Sequence, residues 1–290
     1  MDLATDSILH FDPLLVIIGL LVGATVGLTG IGAGSLLTPI LLLLGVRPVD
    51  AVGASLVNSV VMKGVGTAQH DRQGTLSRKL LIPLLAGAIP GAIIGALAVV
   101  YFSVRAPAQT DLFLRIAIGV ALFFAAATLL RQILAERKAR KDPKSVEQVG
   151  AGVVQSPPLD IGPIPRRLAL MTAAFGVLTG LTISITSIGA GSFLMPFLIV
   201  VFASRIRLNR LVGTDVAIGA AVGLVATTIY LLSGTVQIGP LVWLMLGSVP
   251  GVLIGSRTNF KLDANGTRAA VSSVTMIVAV VMIYGGLVNG

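Results

Sequence analysis

Cysteine is absent from this chain of 290 residues, which excludes disulfides, thiolate metal sites and cysteine nucleophiles. Charge is scarce too. Asp, Glu, Lys and Arg make up 11% of the residues, less than half the ~25% of an ordinary soluble domain. Acidic groups are the scarcer sign, 12 against 21 Lys plus Arg, for a formal net charge of +9. Aromatics are 5%, with one Trp, and there are two His. The apolar segments hold no His/Asp/Glu ligand cluster and no Ser–His–Asp arrangement, so the residues for a bound metal or for intramembrane catalysis are missing. The expectation is therefore a non-enzyme without a cofactor. What is abundant is apolar: 55% of residues, with a mean hydropathy of +0.97. A soluble fold has too little interior to hide that surface, so the chain reads as an all-α polytopic membrane protein. The N-terminal MDLATDSILHFDP has Asp2, Asp6 and Asp12 and no basic residue. A secretory signal opens with a basic region, so no cleaved peptide is expected here.

Apolar stretches fall at about 13–44, 51–68, 80–102, 112–134, 168–203, 211–232, 240–256 and 269–288. They form two copies of one pattern. IGAGSLLTPILLLL (31–44) aligns with IGAGSFLMPFLIVV (188–201), and Gly19 and Gly23 align with Gly176 and Gly180 at the same spacing of 157. Further on the spacing becomes 160: VGAS (52–55) meets VGTD (212–215), and Gly87, Pro90, Gly91 and Gly95 meet Gly247, Pro250, Gly251 and Gly255. So many paired Gly and Pro at constant spacing indicate a duplication. The expected organisation is a first transmembrane repeat (1–134), a basic cytoplasmic linker rich in Gly and Pro toward its end (135–167), and a second transmembrane repeat (168–290).

Basic residues mark cytoplasmic loops. The linker holds Arg137, Lys138, Arg140, Lys141, Lys144, Arg166 and Arg167, which puts it inside. In the first repeat the basic loop is 69–79, with Arg72, Arg78 and Lys79, whereas its equivalent 233–239 is uncharged. In the second repeat the basic loops are 204–210 (Arg205, Arg207, Arg210) and 256–268 (Arg257, Lys261, Arg268), whose counterparts hold little beyond Arg47 and Arg105. The bias has changed sides, which is what an inverted repeat produces. It also accounts for the positive surplus without nucleic acid. Inversion requires an odd number of crossings per half, so 13–44 is expected to enter and return as a Gly-broken, re-entrant hairpin, followed by three transmembrane helices. The competing arrangement makes 13–44 one interrupted span with parallel halves; it strands Arg205, Arg207 and Arg210 outside.

Three sets of residues draw attention. The first is Thr29-Gly30-Ile31-Gly32-Ala33-Gly34-Ser35 and its copy Thr186-Ser187-Ile188-Gly189-Ala190-Gly191-Ser192. Alternating glycine is poor helix sequence, at ~1 kcal/mol each relative to Ala. Ser35 and Ser192 then stand where a half-helix starts, at an N-cap position. Free N–H groups and the helix dipole there favour an anion; close packing of the glycines is the plainer alternative. A dinucleotide-binding fingerprint is a poor fit, lacking the strand, the turn and the acidic residue. The second set, Gly19/Gly23/Gly27, Gly87/Gly91/Gly95 and Gly247/Gly251/Gly255, reads as helix-packing stripes. The third lies on the second helices. Ser55, Ser59 and Lys63 share one face with Asn58 beside it, while the other copy carries Thr214 and Asp215. An intramembrane charge costs ~2.5–3.5 kcal/mol by insertion scales and is usually functional or paired. Lys63 either faces an anion path or snorkels to the interface. Asp215 either couples a proton or sodium ion or pairs with Arg210. His10 and His70 read as terminal and loop residues.

Duplicated halves, each with a Gly-rich break, Ser and a Pro four residues on (Gly30, Gly32, Gly34, Ser35, Pro39; Gly189, Gly191, Ser192, Pro196), resemble the TauE/SafE sulfite exporter family. AVGASL (51–56) and HDRQG (70–74) add to the resemblance. Position 187 is Ser where the first copy has Gly30, a departure from the glycine pattern. The resemblance implies an integral protein of the bacterial inner membrane that carries sulfite, organosulfonates or related small anions.

The combined expectation is a secondary transporter of a small anion, working by alternating access at a midplane site between the two Gly-Ser hairpins. Binding would fall to Gly30, Gly32, Gly34, Ser35, Ser55, Asn58, Lys63, Ser187, Gly189, Gly191, Ser192 and Thr214, with Asp215 as coupling residue. A passive anion channel and a non-transporting assembly factor are the alternatives, and an oligomer is compatible with either. Topology is testable in this cysteine-free chain. Cysteines introduced at positions 47 and 207 are expected to label with an impermeant thiol reagent from opposite faces of the membrane; labelling from one face contradicts the inversion.

Overall fold

The computed structural model describes residues 13–29, 34–141, 165–202, 206–236, 238–258, 273, 275–282 and 284. Secondary structure among them is helical, with no strand. In chain order the helices are α1 (Pro13–Thr29), α2 (Gly34–Leu43), α3 (Pro48–Arg72), α4 (Arg78–Arg105), α5 (Pro107–Lys141), α6 (Arg166–Thr186), α7 (Met195–Phe202), α8 (Leu208–Leu232) and α9 (Ile238–Thr258). A π-helical turn, Ala190–Leu194, leads into α7, and 275–282 is helical as well. Four segments are long and apolar enough to cross a bilayer: Arg78–Arg105, Pro107–Thr128, Arg166–Thr186 and Asn209–Leu232. Helix α2 has 10 residues, about 15 Å at 1.5 Å per residue, half the ~30 Å of hydrocarbon. Helix α7 has 8.

Two boundaries differ from the sequence reading. Helix α5 continues to Lys141, seven residues into the stretch read as linker, because AERKARK is made of good helix formers. Helix α2 starts at Gly34, so Ser35 sits inside its first turn and not at its cap.

Helices α3 and α8 have matching bounds. Each begins after an arginine, Arg47 (φ −59, ψ 144) or Arg207 (φ −61, ψ 141). Each ends at a turn closed by a glycine in the left-handed region, Gly74 (φ 63) or Gly234 (φ 69), the usual helix stop.

Packing joins the two copies crosswise. Helix α1 lies along α9, and α4 along α6. Glycines make both contacts possible. A Cβ at Gly19 would meet the backbone of Leu244, and one at Gly23 the backbone of Ser248; across the same contact, Gly247 faces Val16 and Gly255 faces Ala24. The second contact repeats the first: Gly176 against Leu84, Gly180 against Ala88, Gly87 against Ala173 and Gly91 against Val177. Residue numbers rise together in both pairs, so these helices run parallel. Helices α3 and α8 also pack on each other, in the opposite sense. Gly53, near the start of α3, faces Tyr230 near the end of α8, while Gly213, near the start of α8, faces His70 near the end of α3. Midway, Gly223 faces Val60 and Gly66 faces Val216. Equivalent helices thus run antiparallel.

The side chains follow the logic of lipid exposure. Helix α4 buries Gly87, Ala88, Gly91, Ala92, Gly95 and Ala96 and exposes Ile93, Ile94, Leu97 and Phe102. Small residues face protein and large ones face outward, because in lipid close backbone contact, and not apolar burial, holds helices together. The test is a contrast between two glycines. Gly91→Val drives a branched side chain into the Val177 backbone and is expected to cost about 1–3 kcal/mol. Gly64→Ala, at an exposed helix position with open space around it, is expected to be neutral or stabilising by up to ~1 kcal/mol. Unfolding in detergent followed by circular dichroism measures both.

Candidate functional site

The two Gly-Ser segments meet. Gly34 is buried, and a Cβ on it would collide with the backbone of Ser187. One turn on, Thr38 Oγ1 and Ser187 Oγ share a hydrogen bond. Both residues are buried, Thr38 completely. Ser187 caps α6 in the left-handed conformation (φ 59), with its N–H donating to the Ile183 carbonyl. It is the only non-glycine with positive φ among the described residues. The backbone then turns outward through Gly189 (φ 158), where a Cβ would press on Ile183 Cγ1 at 2.8 Å. Thr186 secures this break from both sides, Oγ1 donating to the Ile188 carbonyl at 3.0 Å and accepting the Ile188 N–H at 3.2 Å. In the second copy the chain leaves helical geometry at Ser187 and Gly189, and this break is tied to α2 through Thr38.

The remaining residues of these segments are placed unequally. Ser35 is buried in the first turn of α2. Gly191 is exposed with open space around it, so it does not join the buried contact. Ser192 lies in the π-helical turn, and its side chain is outside the described residues. Gly30 and Gly32 are outside them as well.

A second polar group lies on α3. Ser55 and Asn58 are fully buried. Asn58 Oδ1 accepts a hydrogen bond from Ser248 Oγ of α9 at 2.9 Å, but Asn58 Nδ2 and Ser55 Oγ have no partner among the described residues. Buried polar groups normally find one. Two donors on one face of α3 are therefore left without a partner among the described residues. Asp215, which occupies the position equivalent to Ser55, is also buried, and its Oδ1 has no partner either. It lies within coulombic reach of Lys63 across the α3–α8 contact. Lys63 and Asp215 thus stand on facing helices, and no salt bridge joins Asp215 to Arg210 among the described residues. Thr214, fully buried, accepts the Ser77 N–H at 3.3 Å and donates to the Arg210 carbonyl at 2.7 Å. His70 is half-buried in the last turn of α3, where Nδ1 shares a hydrogen bond with Thr75 Oγ1.

Cavities open at both ends of α3. One of about 480 Å³ is lined by Leu41, Arg47, Asp50, Ala54 and Leu244 among others, and it reaches the residue next to Ser55. The other, about 300 Å³, is lined by Asp71, Ser77, Arg78, Lys79 and Arg210. Arg210, in the first turn of α8, therefore meets the basic loop that follows α3 at one end. The ends differ in packing as well: α8 lies closely along α4, whereas α3 barely touches α9, and the larger cavity occupies the gap. No group of acidic or His side chains suited to a metal ion occurs among the described residues.

Sequence reasoning missed Thr38, Ser248 and Ser77. The first two stand where the copies differ, against Met195 and Ala88. A polar residue facing an apolar equivalent was the available signal. A double-mutant cycle with Thr38→Val and Ser187→Ala is expected to give a coupling of about 0.6–1.7 kcal/mol, the range for interhelical hydrogen bonds in membranes. Additive losses in unfolding stability would mean that the two hydroxyls do not interact.

Comparison with known proteins identifies a family and a relative. The family model described as "Sulfite exporter TauE/SafE" matches residues 15–282. The chain is similar to the "Probable membrane transporter protein YjnA" of Bacillus subtilis (strain 168), with 31% identity over 263 residues, 91% of this chain and 96% of the relative. No solved structure matches.

Proposed function

The chain belongs to the sulfite exporter TauE/SafE family of membrane proteins, and from that premise we propose that it is a secondary transporter of a small anion, sulfite or an organosulfonate, in the bacterial inner membrane. Family and relative both point to a transporter and away from an enzyme. The observation that carries the mechanism is the inequality of two equivalent contacts. The α4–α8 side is packed and the α3–α9 side is open to Ala54. In a molecule built from two like halves, exchanging these two packings would close one cavity and open the other, which is alternating access. The antiparallel run of α3 and α8 supports reading the halves as inverted. The short helices α2 and α7 support reading each Gly-Ser segment as a re-entrant hairpin. The buried donors of Ser55 and Asn58 and the Gly34–Ser187 junction are the proposed anion contacts.

Energetics fit export. A potential negative inside drives each negative charge outward by ~2.3 kcal/mol per 100 mV, a roughly fortyfold gradient at 1.4 kcal/mol per factor of ten. An exporter of anions needs no coupling ion to run in that direction. Uptake would need a proton or sodium ion, and Asp215, opposed by Lys63, is the group to carry that coupling.

Proteoliposomes loaded with unlabelled sulfite or methanesulfonate and diluted into the same anion labelled with 35S test the reading. Wild type is expected to show counterflow, with the labelled anion transiently accumulating against its gradient at zero potential, which a channel cannot do. Asn58→Leu is expected to lower the rate at least tenfold while the protein remains folded. Neither anion moving, or Asn58→Leu leaving the rate unchanged, overturns the assignment of the site.

A further inference from the structure

The cavities at the two ends of the α3–α8 contact occupy like places in the two copies but carry unlike charge. At position 50 of the first copy stands Asp, and at the equivalent position of the second, 160 residues on, stands Arg210. The consequence is visible in both cavities. In the larger one Arg47 is held by Asp50 through two hydrogen bonds, Nε to Oδ2 at 2.9 Å and Nη2 to Oδ1 at 3.2 Å. That end is close to neutral. In the smaller one three cations, Arg78, Lys79 and Arg210, surround a single carboxylate, Asp71. Asp71 lies 4.0 Å from Arg78, and Arg210 has no carboxylate within ion-pair distance among the described residues. The floor of this cavity is Ser77, whose N–H binds Thr214 Oγ1 at 3.3 Å, and Thr214 precedes Asp215. One lining residue of the cationic cavity, Ser77, is thus hydrogen-bonded to a buried polar residue of α8.

We propose that the Arg78–Lys79–Arg210 cavity is an anion-gathering vestibule for small oxoanions and sulfonates, and that the Arg47–Asp50 cavity, its counterpart at the other end, has no such preference. The proposal rests on the transport reading for its purpose but not for its existence. A basic cavity walled by protein concentrates anions in its mouth and speeds their entry, more strongly at low salt. By the placement of basic loops the cationic end faces the cytoplasm, so collection occurs on the side where an exported anion is made. A single exchange of charge between the copies, Asp50 against Arg210, gives the two mouths unequal affinity while leaving the paired helix packing alone.

Local potential can be read without any transported substrate. Leu76→Cys and Val46→Cys put one thiol into each cavity of this cysteine-free chain. Modification rates are measured in detergent with an anionic sulfonatoethyl methanethiosulfonate and a cationic trimethylammonioethyl methanethiosulfonate, each normalised to neutral methyl methanethiosulfonate. The anionic-to-cationic rate ratio is expected to be about tenfold higher at position 76 than at 46 in low salt and to shrink with added chloride. Arg210→Asp is expected to abolish that excess, Arg210→Gln to halve it on a logarithmic scale, and Asp50→Arg to raise the ratio at position 46. Equal ratios at the two positions, or a ratio at 76 indifferent to both Arg210 substitutions, overturn the proposal. Counterflow of [35S]sulfite by the wild type judges the transport reading separately: a charge-selective vestibule in a protein that moves no anion would refute the function and keep the site.

Discussion

Two helix backbones can touch only where no side chain stands between them, and the rest of this protein depends on two contacts of that kind. Gly19, Gly23, Gly247, Gly251 and Gly255 let α1 settle on α9, and Gly87, Gly91, Gly176 and Gly180 do the same for α4 and α6. Each contact joins the first helix of one copy to the third of the other, so neither copy packs as a separate unit. With those helices engaged, α3 and α8 are left to meet along the middle, the start of each against the end of the other. Their polar faces then lie inside protein, where Ser55, Asn58, Lys63 and Asp215 are tolerable.

That arrangement also explains how unlike ends arise from like halves. The backbone contacts recur at the same spacing, whereas the residues at the mouths do not. Asp50 neutralises Arg47 and holds its guanidinium above the ordinary pKa, chiefly through their hydrogen bond. Arg210, in the place of Asp50, adds positive charge instead. The backbone contacts are thus repeated while the charge at the openings differs.

Much of this was legible in the sequence because it is written in glycine and charge. Small residues at every fourth position can hardly serve any purpose but close approach, and the stripes at 87–95 and 247–255 do pack as scaffold. The Gly-Ser segments read as helix breaks, and the second one is a break, with Ser187 and Gly189 outside ordinary helical geometry. What escaped notice depends on direction in space. Nothing in a pattern of spacing says that Thr38 reaches Ser187 or that Ser248 reaches Asn58, because those pairs lie 149 and 190 residues apart. Gly191 looked equivalent to Gly34, yet it is exposed while Gly34 is buried, since the π-helical turn after Ala190 redirects the chain. Helix α5 runs on into the basic stretch read as linker, because composition alone does not separate a solvated helix from a solvated loop.

The antiparallel run of α3 and α8 is the claim from which inversion, the central polar residues and the unequal ends all follow. Disulfide cross-linking in native membranes tests it directly, with pairs of cysteines introduced into this cysteine-free chain. Val60→Cys with Gly223→Cys brings two Cβ atoms to within reach of a disulfide, and oxidation is expected to link them rapidly. Gly53→Cys with Gly213→Cys stands at opposite ends of the contact and is expected to stay reduced. Linkage of 53 to 213, with 60 and 223 unreactive, would mean that the equivalent helices run parallel and would contradict the account.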